Sequence, residues 1–270
     1  MDRERITLTG APETMLATLY ARALDSRSRK PILNDTAALD AVRRIDYDFR
    51  RTGINASSAA GVAMRAKKLD GWTRDFLGSH ENATVLHLAC GLDTRVFRLY
   101  PGPHVLWVDV DLPQVVTLRE RLLPVPDGEY RLIASSVTDD GWLDEVPADR
   151  PTVVVAEGLT MYLHEHEVRG LVEKVVGRFA GGEVLFDVYG SVGIKMQKLV
   201  PAVRRSGATL RWGLDDPRAI EAWGLSLVED VRALELPEIA DMPASGRIPL
   251  QVMAKLPGLR DVGRILRYRF

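Results

Sequence analysis

The chain has 270 residues, 46% of them apolar and 27% charged, with 36 Lys and Arg against 37 Asp and Glu for a net charge of −1. That balance excludes a disordered chain and gives no general reason to expect nucleic acid or an anionic membrane as partner. One cysteine excludes an internal disulfide and a multi-cysteine zinc site.

The first ten residues, MDRERITLTG, carry charge and no apolar run of leader length, and no stretch of about 18 apolar residues occurs further on. A soluble, cytoplasmic protein with a frayed start is expected. Helical spacing of Met15, Leu16, Leu19, Tyr20 and Ala23 predicts a helix over 12–23, and two more follow over 36–45 and 58–77. After Asn82 short apolar runs alternate with helical patterns, as in a parallel α/β sheet. Strands are predicted over 84–89, 104–110, 130–135, 152–156 and 183–188, with helices over 94–99, 113–122, 141–146 and 165–180. Four of these strands are nearly continuous apolar runs, which suits a sheet covered on both faces. A helical stretch over 192–205 and the turn-rich RWGLDDP break the rhythm and read as an insertion over the ligand edge. A sixth strand over 225–231, a helix over 248–256 and an alternating terminal strand over 264–270 complete the pattern. The expected organisation is an N-terminal helical segment (1–80), an α/β core (81–190), a lid (191–223) and a C-terminal completion of the sheet (224–270).

The first strand leaves through VLHLACGLDTR. Gly91 lets backbone approach a ligand closely, or simply makes a turn. A dinucleotide fold would need G-x-G-x-x-G, but here Ala89 and Thr94 take two of the glycine positions and Asp93 would repel a pyrophosphate. A nucleoside without phosphates suits the loop better. Asp111, twenty residues past Gly91, ends the second strand where a carboxylate can accept both ribose hydroxyls; it could also cap the helix that begins at Pro113. Glu157 ends the buried run TVVVA and needs a cation, either from a ligand or from a nearby Lys or Arg. Arg65 falls on the apolar stripe Val62, Leu69, Trp72, Phe76, where its fork would match a carboxylate unless it snorkels to solvent. Ribose, ammonium and carboxylate without phosphate describe S-adenosylmethionine (SAM).

With these residues the sequence resembles the class I methyltransferases of the leucine carboxyl methyltransferase superfamily, and within it the branch named for the tetracenomycin polyketide O-methyltransferase. The resemblance is carried by PETMLATLYARA, LDAVRRIDYDF, MRAKKLDGWTRDFL, LHLACGLDTR, WVDVDLPQVVTLRERLL, YRLIASSVTDDGWLDEV, VAEGLTMYL, LRWGLDD and RYRF, in order along nearly the whole chain. It implies a seven-stranded Rossmann-like sheet with a helical lid and SAM as cofactor. It also implies contacts at Arg65 (methionine carboxylate), Gly91 (loop under the cofactor), Asp111 (ribose), Ser136 and Val137 (adenine) and Glu157 (amino end). Ala89 stands beside the cofactor where the family usually has glycine, His87 where it has a charged or amide residue, and Ser136 where other branches use an acid.

A carboxylate acceptor, with an unperturbed pKa near 4, needs no general base, whereas a phenol near 10 does. No base is evident: His164 and His166 open a helix and form no metal site, and Cys90 reads as a small buried residue. Tyr20, Arg22, Arg95, Tyr162, Tyr189 and Trp212 are candidates for the acceptor pocket, each with a packing or ion-pair alternative. The expected reaction is methyl esterification of a small or polyketide-type acid. A phenol hydroxyl or a protein C-terminus is the alternative acceptor, and oligomeric state is not indicated.

Overall fold

The computed structural model describes residues 3–6, 11–199, 201–242 and 244–270. Residues 7–10, part of the stretch expected to fray, lie outside the described residues, but Glu4–Arg5 (β1) pairs in parallel with Ile45–Asp46 (β2). Three helices precede the main sheet: α1 (Ala11–Ser26), α2 (Thr36–Arg44) and α3 (Ala56–Ser79). The starts of α2 and α3 follow from capping. The Asp35 carboxylate accepts the Ala38 N–H at 2.9 Å, and Asn55 and Ser58 exchange hydrogen bonds across the first turn of α3.

The sheet has seven strands: β3 (Ala83–Leu88), β4 (Val105–Asp111), β5 (Glu129–Ala134), β6 (Thr152–Ala156), β7 (Gly182–Tyr189), β8 (Ser226–Arg232) and β9 (Gly263–Arg269). Their order is β5-β4-β3-β6-β7-β9-β8, with β9 antiparallel to both neighbours and the other pairs parallel. The chain winds outward from β3 to β5, then returns to build β6 and β7 on the other side. The switch point therefore lies between β3 and β6, where a crevice opens beyond the strand ends.

Strands β3, β4 and β6 are buried at every residue, as their unbroken apolar runs predict. Short helices α4 (Arg95–Leu99) and α5 (Pro113–Leu122) follow β3 and β4. One core face packs α3 through Leu69, Trp72 and Phe76 on Val85, Val153 and Leu185; the other packs α6 (Glu165–Arg178) through Val168, Leu171 and Val175. The terminal strand departs from its predicted alternation, because residues 263–266 are buried on both faces between β7 and β8.

Two predicted helices take other forms. The stretch at 141–146 is a single 3-10 turn, Trp142–Glu145. The stretch at 192–205 breaks into α7 (Ser191–Lys195), a 3-10 turn (Gln197–Leu199) and α8 (Pro201–Ser206), since Pro201 lacks the N–H that a continuous helix would need. After α8 the chain does not stay over the ligand edge: Trp212, Leu214, Ile220 and Trp223 enter the core beside α6. A last helix, α9 (Ala244–Lys255), precedes β9. No helix among the described residues is long and apolar enough to cross a membrane.

Candidate active site

A cavity of about 840 Å³ opens beyond the carboxyl ends of β3, β4, β6 and β7, with residues of α1, α3, α8 and α9 among its walls. Its floor begins with the loop after β3. Ala89 and Gly91 both take positive φ, +49° and +51°. At Gly91 a Cβ would stand 3.3 Å from the Met15 Cβ, so both space and backbone favour glycine. At Ala89 an L-residue occupies the left-handed region at a cost of ~1–2 kcal/mol, which glycine would relieve at an unfolded-state cost of ~0.4–1 kcal/mol. Ala89→Gly is expected to stabilise the fold by ~0.5–1 kcal/mol, read as a rise in the thermal midpoint of about 1–3 °C.

Asp111, at the end of β4, accepts the Gly91 N–H at 2.7 Å through Oδ2 and the Leu112 N–H at 2.7 Å through Oδ1. It therefore joins the two loops at the switch point and does not cap the next helix, whose N-cap is Leu112 with no side-chain bond. Burial pushes its carboxyl above the usual range, opposed by the two N–H donors. Its side chain and those of Ser136 and Val137 line the cavity on the β4–β5 side.

On the β6–β7 side Arg65 reaches from α3 to two carboxylates. Its Nε donates to Glu157 Oε1 at 3.1 Å and its Nη1 to Asp187 Oδ2 at 2.8 Å. The five N–H groups of a guanidinium exceed these partners, so Arg65 can still take a third carboxylate. Glu157 also accepts Arg95 Nη2 at 2.5 Å, and Asp187 Oδ1 accepts the Gly158 N–H at 2.6 Å. Burial disfavours charge at both acids. Arg65 and Arg95 outweigh it at Glu157, which is lowered; at Asp187 burial prevails and the carboxyl is raised. Both readings of Glu157 thus meet at one place, since the acid is ion-paired and also lines the cavity.

Behind the cavity lies a buried ionic layer. Arg95 donates to Asp70 at 2.6 Å, while Arg98 bridges Asp70, Asp35 and Asp93 at 2.9, 2.7 and 2.9 Å. Asp109 accepts from Arg119 at 2.6 Å, Tyr130 at 2.7 Å and Trp107 at 2.8 Å, and lies 3.0 Å from His87 Nδ1. Burial would raise Asp109, but Arg119 and His87 outweigh it and hold the carboxyl at about 2. Asp70 and Asp93 are also lowered, against burial, by their arginines.

These four lowered acids, Asp70, Asp93, Asp109 and Glu157, bind fewer protons folded than unfolded near pH 4. Their stabilisation is complete above the ordinary carboxylate range and is lost as pH falls through the folded values. Asp111 and Asp187 act with the opposite sign: they oppose folding above their raised values and cease to as they protonate. The larger group wins, so a thermal midpoint falling between pH 4 and pH 2 is expected. Asp109→Asn should cost at least about 2 kcal/mol at pH 7 and make that acid limb shallower, followed by calorimetry across pH.

Arg22, Arg65, Ala89, Gly91, Asp111, Ser136, Val137, Glu157, Tyr162 and Tyr189 all line the one cavity. Three acceptor candidates lie off its lining. Tyr20 stacks on Phe49 at 5.0 Å, fully buried Arg95 lies beneath Glu157, and Trp212 packs near Trp223 on the far face of the sheet. Cys90 is buried and its thiol pushed up. His164 Nε2 accepts from Arg211 Nη1 at 2.7 Å and its ring stacks on His166; among the described residues no group of three or more His, Cys, Asp or Glu could hold a metal. Asp187 and the ionic layer under the cavity went unpredicted. Asp187 had a signal: it interrupts the apolar run VLFDVY as Glu157 ends TVVVA.

The strand order, the glycine turn and the acid after β4 define a class I SAM-dependent methyltransferase. The model of the leucine carboxyl methyltransferase family matches residues 15–176. The chain is 45% identical over 269 residues to a tetracenomycin polyketide synthesis O-methyltransferase of Streptomyces glaucescens, covering 99% of both chains. It is 40% identical over 241 residues to a SAM-dependent methyltransferase of Gibberella zeae, covering 82% of this chain and 81% of that one. The fold matches the crystal structure of a DUF574 family protein of Streptomyces avermitilis with a TM-score of 0.60 at 14% identity, covering 97% of each chain. The chain belongs to the leucine carboxyl methyltransferase family.

Proposed function

We propose that this methyltransferase esterifies a carboxylate on a small-molecule or polyketide-type acid. The observation that carries this reading is the state of the ionisable groups lining the cavity. Glu157, Asp93 and Asp187 are engaged by arginines, Asp111 by the Gly91 and Leu112 N–H groups, and buried His87 by Asp109 on one ring nitrogen with Arg95 beside the other, while burial pushes the Tyr162 and Tyr189 hydroxyls up. Such groups are poorly suited to take the proton of a phenol with a pKa of about 10, and a carboxylate of pKa about 4 asks for none. The relative from Streptomyces glaucescens, named for polyketide synthesis, supports the acceptor class.

SAM, when bound, supplies a methyl group activated by its sulfonium. In this reading Arg65 takes the methionine carboxylate through its remaining N–H groups. Glu157 faces the ammonium, Asp111 accepts from the ribose hydroxyls, and Ser136 and Val137 flank the adenine beside the Ala89–Gly91 turn. The fit is supported by the glycine floor at Gly91 and by Asp93, whose negative charge suits a ligand without phosphate. Arg22, Tyr162 and Tyr189 are the candidates for orienting the acceptor; Arg22 lies 3.6 and 3.7 Å from Asp35 and Asp93, and its Nε makes no hydrogen bond among the described residues. Positioning is the main catalytic task. Because transfer of a sulfonium's methyl to a carboxylate oxygen, with the S–CH3 bond broken, would leave a neutral ester and a neutral thioether, the apolar walls from α3, α8 and α9 favour it by excluding water.

The test is to incubate the enzyme with methyl-labelled SAM and paired aromatic acids and phenols. Label released as methanol by mild alkali identifies an ester, and a rate flat above about pH 5 agrees with it. Alkali-stable label with a rate rising toward high pH would identify a phenol ether instead, and label retained in a protein partner would identify a C-terminal carboxyl acceptor.

A further inference from the structure

The near-neutral net charge conceals a division. Between Asp48 and Asp70, between Asp187 and Asp215, and between Asp241 and Asp261 the chain has no acidic residue, while these segments hold five, five and three Lys or Arg. The rest of the molecule therefore has 23 of the 36 basic side chains and all 37 acidic ones.

The three segments meet in space around the cavity. Arg205 on α8 donates to the carbonyls of Arg50 and Arg51 at 3.1 and 2.9 Å, tying α8 to the turn before α3. Val192 on α7 lies 3.7 Å from where Gly258, after α9, would carry a Cβ. At the other end of α9, Gly246 would place a Cβ 3.5 Å from Ser57 Oγ in the first turn of α3. The contacts close a ring, and from it Ile54, Asn55, Val203 and Leu250 line the cavity. On that ring Arg51, Lys195, Lys198, Arg204, Arg247 and Lys255 form no ion pair with any described carboxylate, and all but Arg247 are exposed.

Inside, the sign reverses. Arg22, Arg65 and Arg264 face Asp93, Asp111, Glu157 and Asp187, one negative charge in excess. SAM, with a sulfonium, an ammonium and a carboxylate, carries one net positive charge and suits that interior. A basic ring around an acidic cavity suits a second reactant of the opposite sign.

We infer that the ring from 49–58, α7–α8 and α9 is an electrostatic collar that draws an anionic aromatic acceptor to the mouth and recognises negative charge left outside the cavity when the reacting group is within. The inference rests on the assignment of the cavity to SAM and an acid acceptor, but it concerns capture, not the bond formed. Clefts ringed by one sign of charge raise association rates by roughly 10–1,000-fold, an advantage that salt removes.

The experiment uses the full chain saturated with S-adenosylhomocysteine (SAH) and two dyes. One is the anion 8-anilinonaphthalene-1-sulfonate; the other is its uncharged parent, N-phenyl-1-naphthylamine. Stopped-flow association from 25 to 300 mM NaCl should slow the sulfonate about tenfold and leave the neutral dye unchanged. K195Q/K198Q/R204Q/R247Q should slow the sulfonate similarly at low salt and flatten its salt dependence. R204Q alone, a milder change, should do so in part. The same substitutions should favour SAM over SAH, a zwitterion without net charge, with their affinity ratio moving about twofold or more, because a collar that attracts anions disfavours a cation. A sulfonate rate indifferent to salt and to the substitutions, or a neutral dye slowed equally, overturns the collar. Neither result bears on whether the methyl group ends in an alkali-labile ester, so the two readings fail separately.

Discussion

Arg65→Ala is expected to weaken SAM binding by a hundredfold or more and to lower stability by about 3 kcal/mol. The two effects have different origins. Removing the guanidinium leaves Glu157 and Asp187 facing one another without the cation that both now share, and breaking a buried pair by deleting one partner costs about 3–5 kcal/mol. The lower figure applies because the Arg65 side chain is 20% exposed and Glu157 retains Arg95. The affinity loss comes from the proposed third partner, the methionine carboxylate, since a charged hydrogen-bonded contact contributes about 1.5–3 kcal/mol. Adding Asp187→Asn to Arg65→Ala should restore much of the thermal midpoint without restoring affinity. Calorimetric titration and thermal unfolding of the single and double variants would separate the two. Arg65→Lys should keep part of the stability and little of the affinity, because an ammonium cannot reproduce the fork.

The second large effect is expected at Asp111. Asp111→Ala should lower SAM affinity by about a hundredfold, from two charge-assisted hydrogen bonds lost to the ribose. It also leaves the Gly91 and Leu112 N–H groups without their acceptor. Asp111→Asn keeps one carbonyl oxygen for that purpose and should hold the loop better while still losing affinity. Burial already raises the Asp111 carboxyl, so its charge is available at neutral pH and declines on acidification. SAM binding should therefore weaken on acidification, in parallel with Asp111 protonation and ahead of the lowered acids whose titration unfolds the chain. Isothermal titration from pH 7 to pH 4 measures this directly.

The sequence made the sheet legible because burial on both faces leaves unbroken apolar runs, and β6, from Thr152 to Ala156, falls where its run of valines begins and ends. Periodicity was less informative where burial changed along an element. The terminal strand alternates in sequence, yet Arg264 sits buried between β7 and β8 against Asp230 and Asp261. The break at Pro201 was written in the sequence, in a residue without an N–H, whereas the 3-10 turn at Trp142 carries no such local mark.

For the site, single residues at strand ends were readable and their partners were not. Gly91, Asp111 and Glu157 stand out against their surroundings. Asp70 and Arg98 do not, because each lies on a helix where charge is ordinary until the fold brings the two together behind the cavity. Arg95 illustrates the difference. A cation one residue after Thr94 looked available to an acceptor, but three acids claim it in the interior: Asp70 at 2.6 Å, Glu157 at 2.5 Å and Asp93 at 3.7 Å. Tyr20 and Trp212 were readable as aromatics and not by face, since a helix or loop can turn the same ring toward a cavity or into a core.

A crystal structure with SAH bound tests the placement of the cofactor most directly. The expected density sets the ribose hydroxyls on the Asp111 carboxylate and the amino-acid tail between Arg65 and Glu157, with the adenine beside Ser136 and Val137. A ribose that leaves Asp111 in contact only with the Gly91 and Leu112 N–H groups, or a tail directed away from Arg65, would contradict it.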